Sequence, residues 1–166
     1  MTYVVHPWPP VFDETARVLI LGTMPSPKSL EAKFYYGHPQ NVFWKTMAAV
    51  LGDETPASGP QAREAFLLKH HVAVWDVLKA CEIDGARDDR IRNAEVNIFR
   101  PLIDRTEIQK IFTTGKKATT LFNRYCAAEA GMKAIYLPST SPANRGRQSR
   151  PEFAALWAQV GEALCQ

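Results

Sequence analysis

Four short apolar runs set the frame of this chain. Residues 17–22 (RVLILG) are continuously apolar after the first position and close on glycine, the pattern of a strand buried on both faces of a parallel sheet. Residues 72–75 (VAVW) repeat it and end against Asp76, and residues 108–113 and 133–137 supply a third and fourth strand. Between them apolar residues recur at helical spacing. The segment 41–51 places Phe43, Met47, Val50 and Leu51 on one face, and helices are expected over 60–69, 97–105, 116–129 and 151–164. Residues 4–10, rich in proline, are expected to run extended over the surface before the fold begins. Residues 23–40, 81–93 and 138–150 read as irregular connections.

Strands alternating with helices predict an α/β domain built on a four-stranded, mostly parallel sheet. In such sheets ligands bind beyond the carboxyl ends of the strands. The loops with unusual composition follow Gly22, Asp76, Gly115 and Leu137, all at such ends, so the functional residues should meet on one face. Neither an internal repeat nor a composition shift divides the chain, and residues 1–166 are expected to form one domain.

Composition narrows this picture only a little. A formal net charge of +3 permits a nucleic-acid partner without requiring one. Cys81, Cys126 and Cys165 are scattered and form no CxxC pair, which suits free thiols in a reducing compartment. His6, His38, His70 and His71 match no zinc spacing, so neither a metal nor a cofactor is expected. With no basic-then-apolar leader, and apolar runs too short to cross a bilayer, the expected location is cytoplasmic and no membrane contact is expected.

The loop after the first strand carries the first chemical signal. Gly22-Thr-Met-Pro-Ser-Pro-Lys-Ser29 would match a phosphate-binding P-loop if Pro27 were glycine. Pro25 and Pro27 lack the backbone N–H groups on which such a cradle depends, which argues against nucleotide-phosphate chemistry. Read with the next twenty residues, the segment has another likeness. Gly22-Thr-Met-Pro-Ser26 followed by Tyr36-Gly-His-Pro-Gln-Asn-Val-Phe-Trp-Lys45 resembles the uracil-DNA glycosylase superfamily, most of all its mismatch-specific and hypoxanthine branches. Those relatives pair a G-x-x-P-[GS] turn with an aromatic-small-H-P-x-N-x-F-W segment.

The resemblance implies a three-layer α/β/α fold and a monofunctional enzyme that hydrolyses the N-glycosidic bond of hypoxanthine or uracil in DNA. The expected partner is DNA containing deaminated bases, with no protein partner implied. Met24 stands where the mismatch-specific branch has a water-positioning asparagine. By likeness to the hypoxanthine branch, that role passes to Asn41. Asparagine before a helix is also a favoured N-cap, and one carboxamide oxygen has the lone pairs for both tasks. Tyr36 matches the aromatic on which an extruded base stacks, while Phe34 and Tyr35 beside it read equally as core. Gly22, Thr23, Met24, Pro25 and Ser26 would line the base pocket, chiefly through their backbone.

Asp76 occupies the place where relatives carry an asparagine that reads the base edge. An ionised carboxylate only accepts hydrogen bonds. It would admit the ring N–H of hypoxanthine or uracil and repel the lone pairs that adenine and cytosine present there. The alternative is an aspartate bonded to its own loop backbone. The loop after the fourth strand resembles the superfamily's minor-groove loop, with Ser139, Thr140, Ser141, Pro142, Asn144, Arg145 and Arg147 as the expected DNA contacts. Lys28, Lys33, Lys116 and Lys117 are weaker candidates for phosphate. A catalytically inactive relative that binds DNA or flipped bases is the competing reading, and Met24 is the feature that favours it.

Overall fold

The computed structural model describes residues 2–83 and 91–165. The expected sheet is present and wholly parallel, in the order β3-β2-β6-β7, with β2 spanning Val18–Gly22, β3 Val72–Asp76, β6 Lys110–Thr114 and β7 Ala134–Leu137. Central strand β2 pairs with β3 from Val18↔Val72 to Gly22↔Asp76 and with β6 from Val18↔Lys110 to Leu21↔Thr113. Successive residues of a strand face opposite ways. Val18 and Ile20 therefore enter one core, and Leu19 and Leu21 enter another on the far side of the sheet. That is why β2 has to be apolar throughout.

Helices cover both faces, which makes the three-layer sandwich. On the first face lie α2 (Phe43–Leu51), α3 (Pro60–Lys69) and α8 (Pro151–Leu164). On the second lie α4 (Arg100–Asp104), α5 (Lys116–Tyr125) and α6 (Ala127–Ala130). Helices α3, α4 and α8 each have proline in the first turn, where its missing N–H costs nothing. Along α8, Phe153, Trp157 and Val160 are buried at helical spacing, and the Trp157 indole donates to Pro138 O at 3.0 Å.

Several expected connections are structured instead. The segment 4–10 is extended as expected, but its first residues already belong to the fold. Thr2–Val5 is strand β1, paired antiparallel with β4 (Leu78–Ile83), which pairs in turn with β5 (Ile91–Val96) to form a second, three-stranded sheet. Thr, Tyr and Val favour strands, and the prolines that follow Val5 mask this signal. The described parts of the expected irregular stretch 81–93 thus lie in β4 and β5, and residues 84–90 lie outside the described residues.

After β1 the chain crosses to the main sheet, where Val11 exchanges backbone hydrogen bonds with Val74 at 2.9 and 3.0 Å. The open edge of β3 is thereby covered. The loop 23–40 contains α1 (Pro27–Ala32), capped by the Ser26 side chain. Residues 138–150 contain a 3-10 turn at Pro142–Asn144 and α7 (Arg145–Gln148). The expected helix 116–129 is divided at Cys126 into α5 and α6.

Candidate active site

The carboxyl ends of the four parallel strands open into a cleft of about 640 Å³. That is within the roughly 300–1,000 Å³ of small-ligand pockets. It is lined by the whole Gly22–Ser26 turn after β2, by Asp76 ending β3, by Thr114 and Gly115 after β6, and by the loop after β7. Tyr36 and Asn41 close it from the connection between α1 and α2. Of the residues expected for catalysis, the base pocket and the minor-groove loop, all but Arg145 line this cleft. Arg145 is exposed and donates to Gln40 Oε1 at 2.8 Å, so Arg147, not Arg145, is the arginine that lines the cleft.

Gly22 is required by close approach. A Cβ at this position would lie 2.6 Å from Asp76 Oδ1, 3.4 Å from Tyr36 Oη and 3.6 Å from Thr114 Oγ1. These three polar atoms gather over the bare end of β2. The Gly22 and Thr23 carbonyls accept from Val77 N and Leu78 N, which locks the turn to the chain leaving β3. Among the described residues, the N–H groups of Met24 and Ser26 have no protein acceptor, so both remain available at the cleft wall. The Ser26 hydroxyl is committed: it accepts from Ser29 N and bonds Ser29 Oγ, and Ser29 Oγ accepts from Gly37 N. Met24 packs against the second core.

Asn41 is half-buried and precedes Val42, the N-cap of α2; its Oδ1 accepts from Phe43 N at 2.9 Å in an Asx turn that leads into the helix. A carboxamide oxygen has a second lone pair, and Nδ2 keeps its protons for the cleft. The Tyr36 ring lies 3.9 Å from that of Phe43 at an interplanar angle of 7°. One ring face is therefore occupied, and only the other can receive a base. Tyr36 also has a left-handed backbone (φ 51°), which is rare for a bulky residue and is held by the Trp44 indole donating to Tyr36 O at 3.2 Å. Thr114 donates its single proton to Leu21 O at 3.3 Å, so Tyr36 Oη is the donor in their 3.3 Å contact. Burial first, and then the Asp76 charge, push the Tyr36 phenol well above its ordinary range and keep it protonated.

Among the described residues, the Asp76 carboxylate makes no bond to its own loop. Its Oδ2 lies 2.7 Å from His6 Nε2, and its main-chain oxygen accepts from Asn97 Nδ2 at 2.9 Å. Tyr35 is buried, with its hydroxyl donating to Pro9 O, yet its ring reaches the cleft floor; Phe34 is core, stacked with Trp44. Both residues had core and site readings, and they divide between them.

The loop after β7 braces itself. Ser139 O accepts from Asn144 Nδ2 and Gln148 Nε2, Ser141 Oγ accepts from Ala143 N, and Thr140 O accepts from Val42 N. The Asn144 amide is thus partly spent on the loop's own shape. Of the lysines, Lys116 lines the cleft at its exposed rim, Lys28 pairs with Glu31, and Lys33 and Lys117 stand outside the lining. Thr114, which lines the cleft, and His6, which contacts Asp76 behind it, are residues that the sequence pattern does not single out. Thr114 was within reach of the strand-end rule; a lone histidine in a proline-rich leader offers no signal.

A family model described as the uracil DNA glycosylase superfamily matches residues 9–161. Two curated relatives, both named hypoxanthine DNA glycosylase, are each 33% identical to this chain. The one from Methanosarcina barkeri covers 92% of this chain and 95% of its own length; that from Methanosarcina acetivorans covers 83% and 87%. A solution NMR structure of a candidate uracil DNA glycosylase from M. acetivorans superposes with a TM-score of 0.80 at 30% identity, over 96% of this chain and 97% of the other.

Proposed function

The chain belongs to the uracil-DNA glycosylase superfamily, and from that premise we propose that it excises deaminated bases from DNA by hydrolysing their N-glycosidic bond. Hypoxanthine is the principal substrate and uracil a second one, and the product is an abasic site with the strand intact. The observation that carries this reading is the convergence of the Asn41 amide, the Tyr36 ring and the Asp76 carboxylate on one cleft.

The reaction passes through a sugar with oxocarbenium-like charge. It needs a placed water, stabilised negative charge on the departing base, and a shielded site more than a strong nucleophile. Asn41 holds the water through its carboxamide while Oδ1 keeps its bond to Phe43 N. The extruded base lies against the open face of Tyr36, and stacking there offsets part of the cost of leaving the duplex. Its ring N–H donates to Asp76, and its carbonyl faces the N–H groups of Met24 and Ser26. The braced segment from Ser139 to Asn144 holds the gap in the duplex, with Arg147 and Lys116 at the rim on phosphates.

Duplexes carrying one deoxyinosine or one deoxyuridine, incubated with protein and then treated with alkali, test the proposal. Cleavage at the lesion, lost in Asn41→Ala, is expected. Binding without alkali-labile product would instead identify an inactive damage-binding relative. A borohydride-trapped adduct would instead reveal an imine between a protein amine and the abasic sugar and contradict simple hydrolysis.

A further inference from the structure

His6 lies 70 residues from Asp76 in sequence, yet the two form a buried contact behind the cleft-lining carboxylate, with side chains 4% and 5% exposed. Strand β1 brings it there. The last backbone bond of the second sheet, His6 N to Lys79 O at 2.8 Å, releases the chain toward the main sheet, and the ring packs between Trp8 and Tyr35.

The proton positions follow from the partners. Trp8 N–H can only donate, and it donates to His6 Nδ1 at 3.2 Å. Nδ1 therefore carries a lone pair, the ring proton is on Nε2, and Nε2–H donates to Asp76 Oδ2 at 2.7 Å. Both ring nitrogens are thus committed, and His6 has no proton to lend the reacting base. Asp76 Oδ1 stands over Gly22, has no protein donor among the described residues, and is the oxygen left to the cleft.

We propose that His6 is a positioning residue for base selection: by donating to Oδ2 it holds Asp76 as an acceptor-only carboxylate with Oδ1 aimed at the ring N–H of a deaminated base. The inference rests on the reading of Asp76 given above. Without the donor, the buried carboxylate is poorly solvated and free to rotate, Oδ1 is no longer aimed at the base edge, and the selection weakens. The amino-terminal strand, far from the motif segments in sequence, is thus part of the specificity apparatus.

Single-turnover excision by the full-length protein on a deoxyinosine duplex tests this, with parallel affinity for a duplex carrying a stable abasic analogue. His6→Ala is expected to slow excision roughly 10- to 100-fold, the scale of one lost charge-assisted hydrogen bond. Abasic-duplex affinity should stay within about twofold, since His6 is buried beneath the floor. His6→Gln, whose amide can replace the Nε2–H donor, should recover most of the rate, and His6→Asn, one methylene shorter, should not. His6→Ala combined with Asp76→Asn should be no slower than Asp76→Asn alone. Thermal melting checks each variant, and the Gln-against-Asn comparison stands even if the Ala variant folds poorly.

Wild-type excision by His6→Ala, or equal rates for folded His6→Gln and His6→Asn, would overturn the role of His6 and leave Asp76 untouched. Unchanged hypoxanthine excision by Asp76→Asn would remove both the Asp76 reading and this inference. No excision by the wild type would remove the glycosylase reading itself.

Discussion

Gly22→Ala is the smallest change that strikes the centre of the site. The added methyl would meet Asp76 Oδ1 at 2.6 Å, where ordinary contact begins about 0.8 Å farther out. The carboxylate has little room to retreat, because Oδ2 is tied to His6 and the Asp76 main chain to Asn97. Nor can β2 shift easily, since β3 and β6 flank it along its length. Overpacking of this kind costs about 1–3 kcal/mol of stability. Displacing Oδ1 should also cost the base its charge-assisted hydrogen bond, about 1.5–3 kcal/mol, which corresponds to roughly 10- to 150-fold in excision rate. Urea denaturation measures the first effect and single-turnover excision of hypoxanthine the second. A variant that unfolds with the wild-type midpoint and excises at the wild-type rate would refute the argument, because Oδ1 would then neither crowd Gly22 nor touch the base.

Other perturbations separate the remaining roles. Asn41→Ala should reduce single-turnover excision by about 10²–10³-fold, and loss of the Asx turn leading into α2 should lower unfolding free energy by about 1 kcal/mol. Tyr36→Ala should weaken capture of the flipped base by about 1–3 kcal/mol, read as reduced affinity for a lesion duplex against an undamaged one, whereas Tyr36→Phe keeps the ring and most of the effect. Arg147→Ala and Lys116→Ala should each lower DNA affinity without changing base preference, and each should reduce the slope of log affinity against log salt by about 0.9. The Asp53 carboxylate is held well below the usual range by His70 first and then Lys69. A depressed carboxylate stabilises the fold above its unfolded value of about 4 and loses that contribution as the pH falls below it. The melting temperatures of wild type and Asp53→Asn should therefore differ at neutral pH and converge in acid.

The parts of this molecule that are legible from sequence are those where one physical demand dominates. Strands β2 and β3 are buried on both faces and so are apolar without interruption, and the Pro-led, periodic α8 matches its expected limits. The second sheet is different. In β5 only Ile91 is buried, four exposed residues follow, and two of these are charged, so no alternation survives to announce a strand. Strand β4 alternates for three residues and then does not. Pro25 and Pro27 read as breakers, although Pro27 starts α1 at the one place proline is welcome. Within the site, segments contiguous in sequence were visible together: the Gly22–Ser26 turn and the Tyr36 to Asn41 stretch both line the cleft. The His6–Asp76 contact was not, because it depends on a leader strand docking 70 residues away. The Arg145–Gln40 bond likewise joins residues 105 positions apart, from the first residue of α7 to the connection before α2, and has no local signal.

Mass-spectrometric identification of the base set free from a deoxyinosine duplex tests the central claim most directly. The account predicts free hypoxanthine in equal amount to abasic sites, falling with Asn41→Ala while the variant still binds the duplex. Lesion-bound protein that releases no base, or an Asn41→Ala protein that releases it at the wild-type rate, would contradict it.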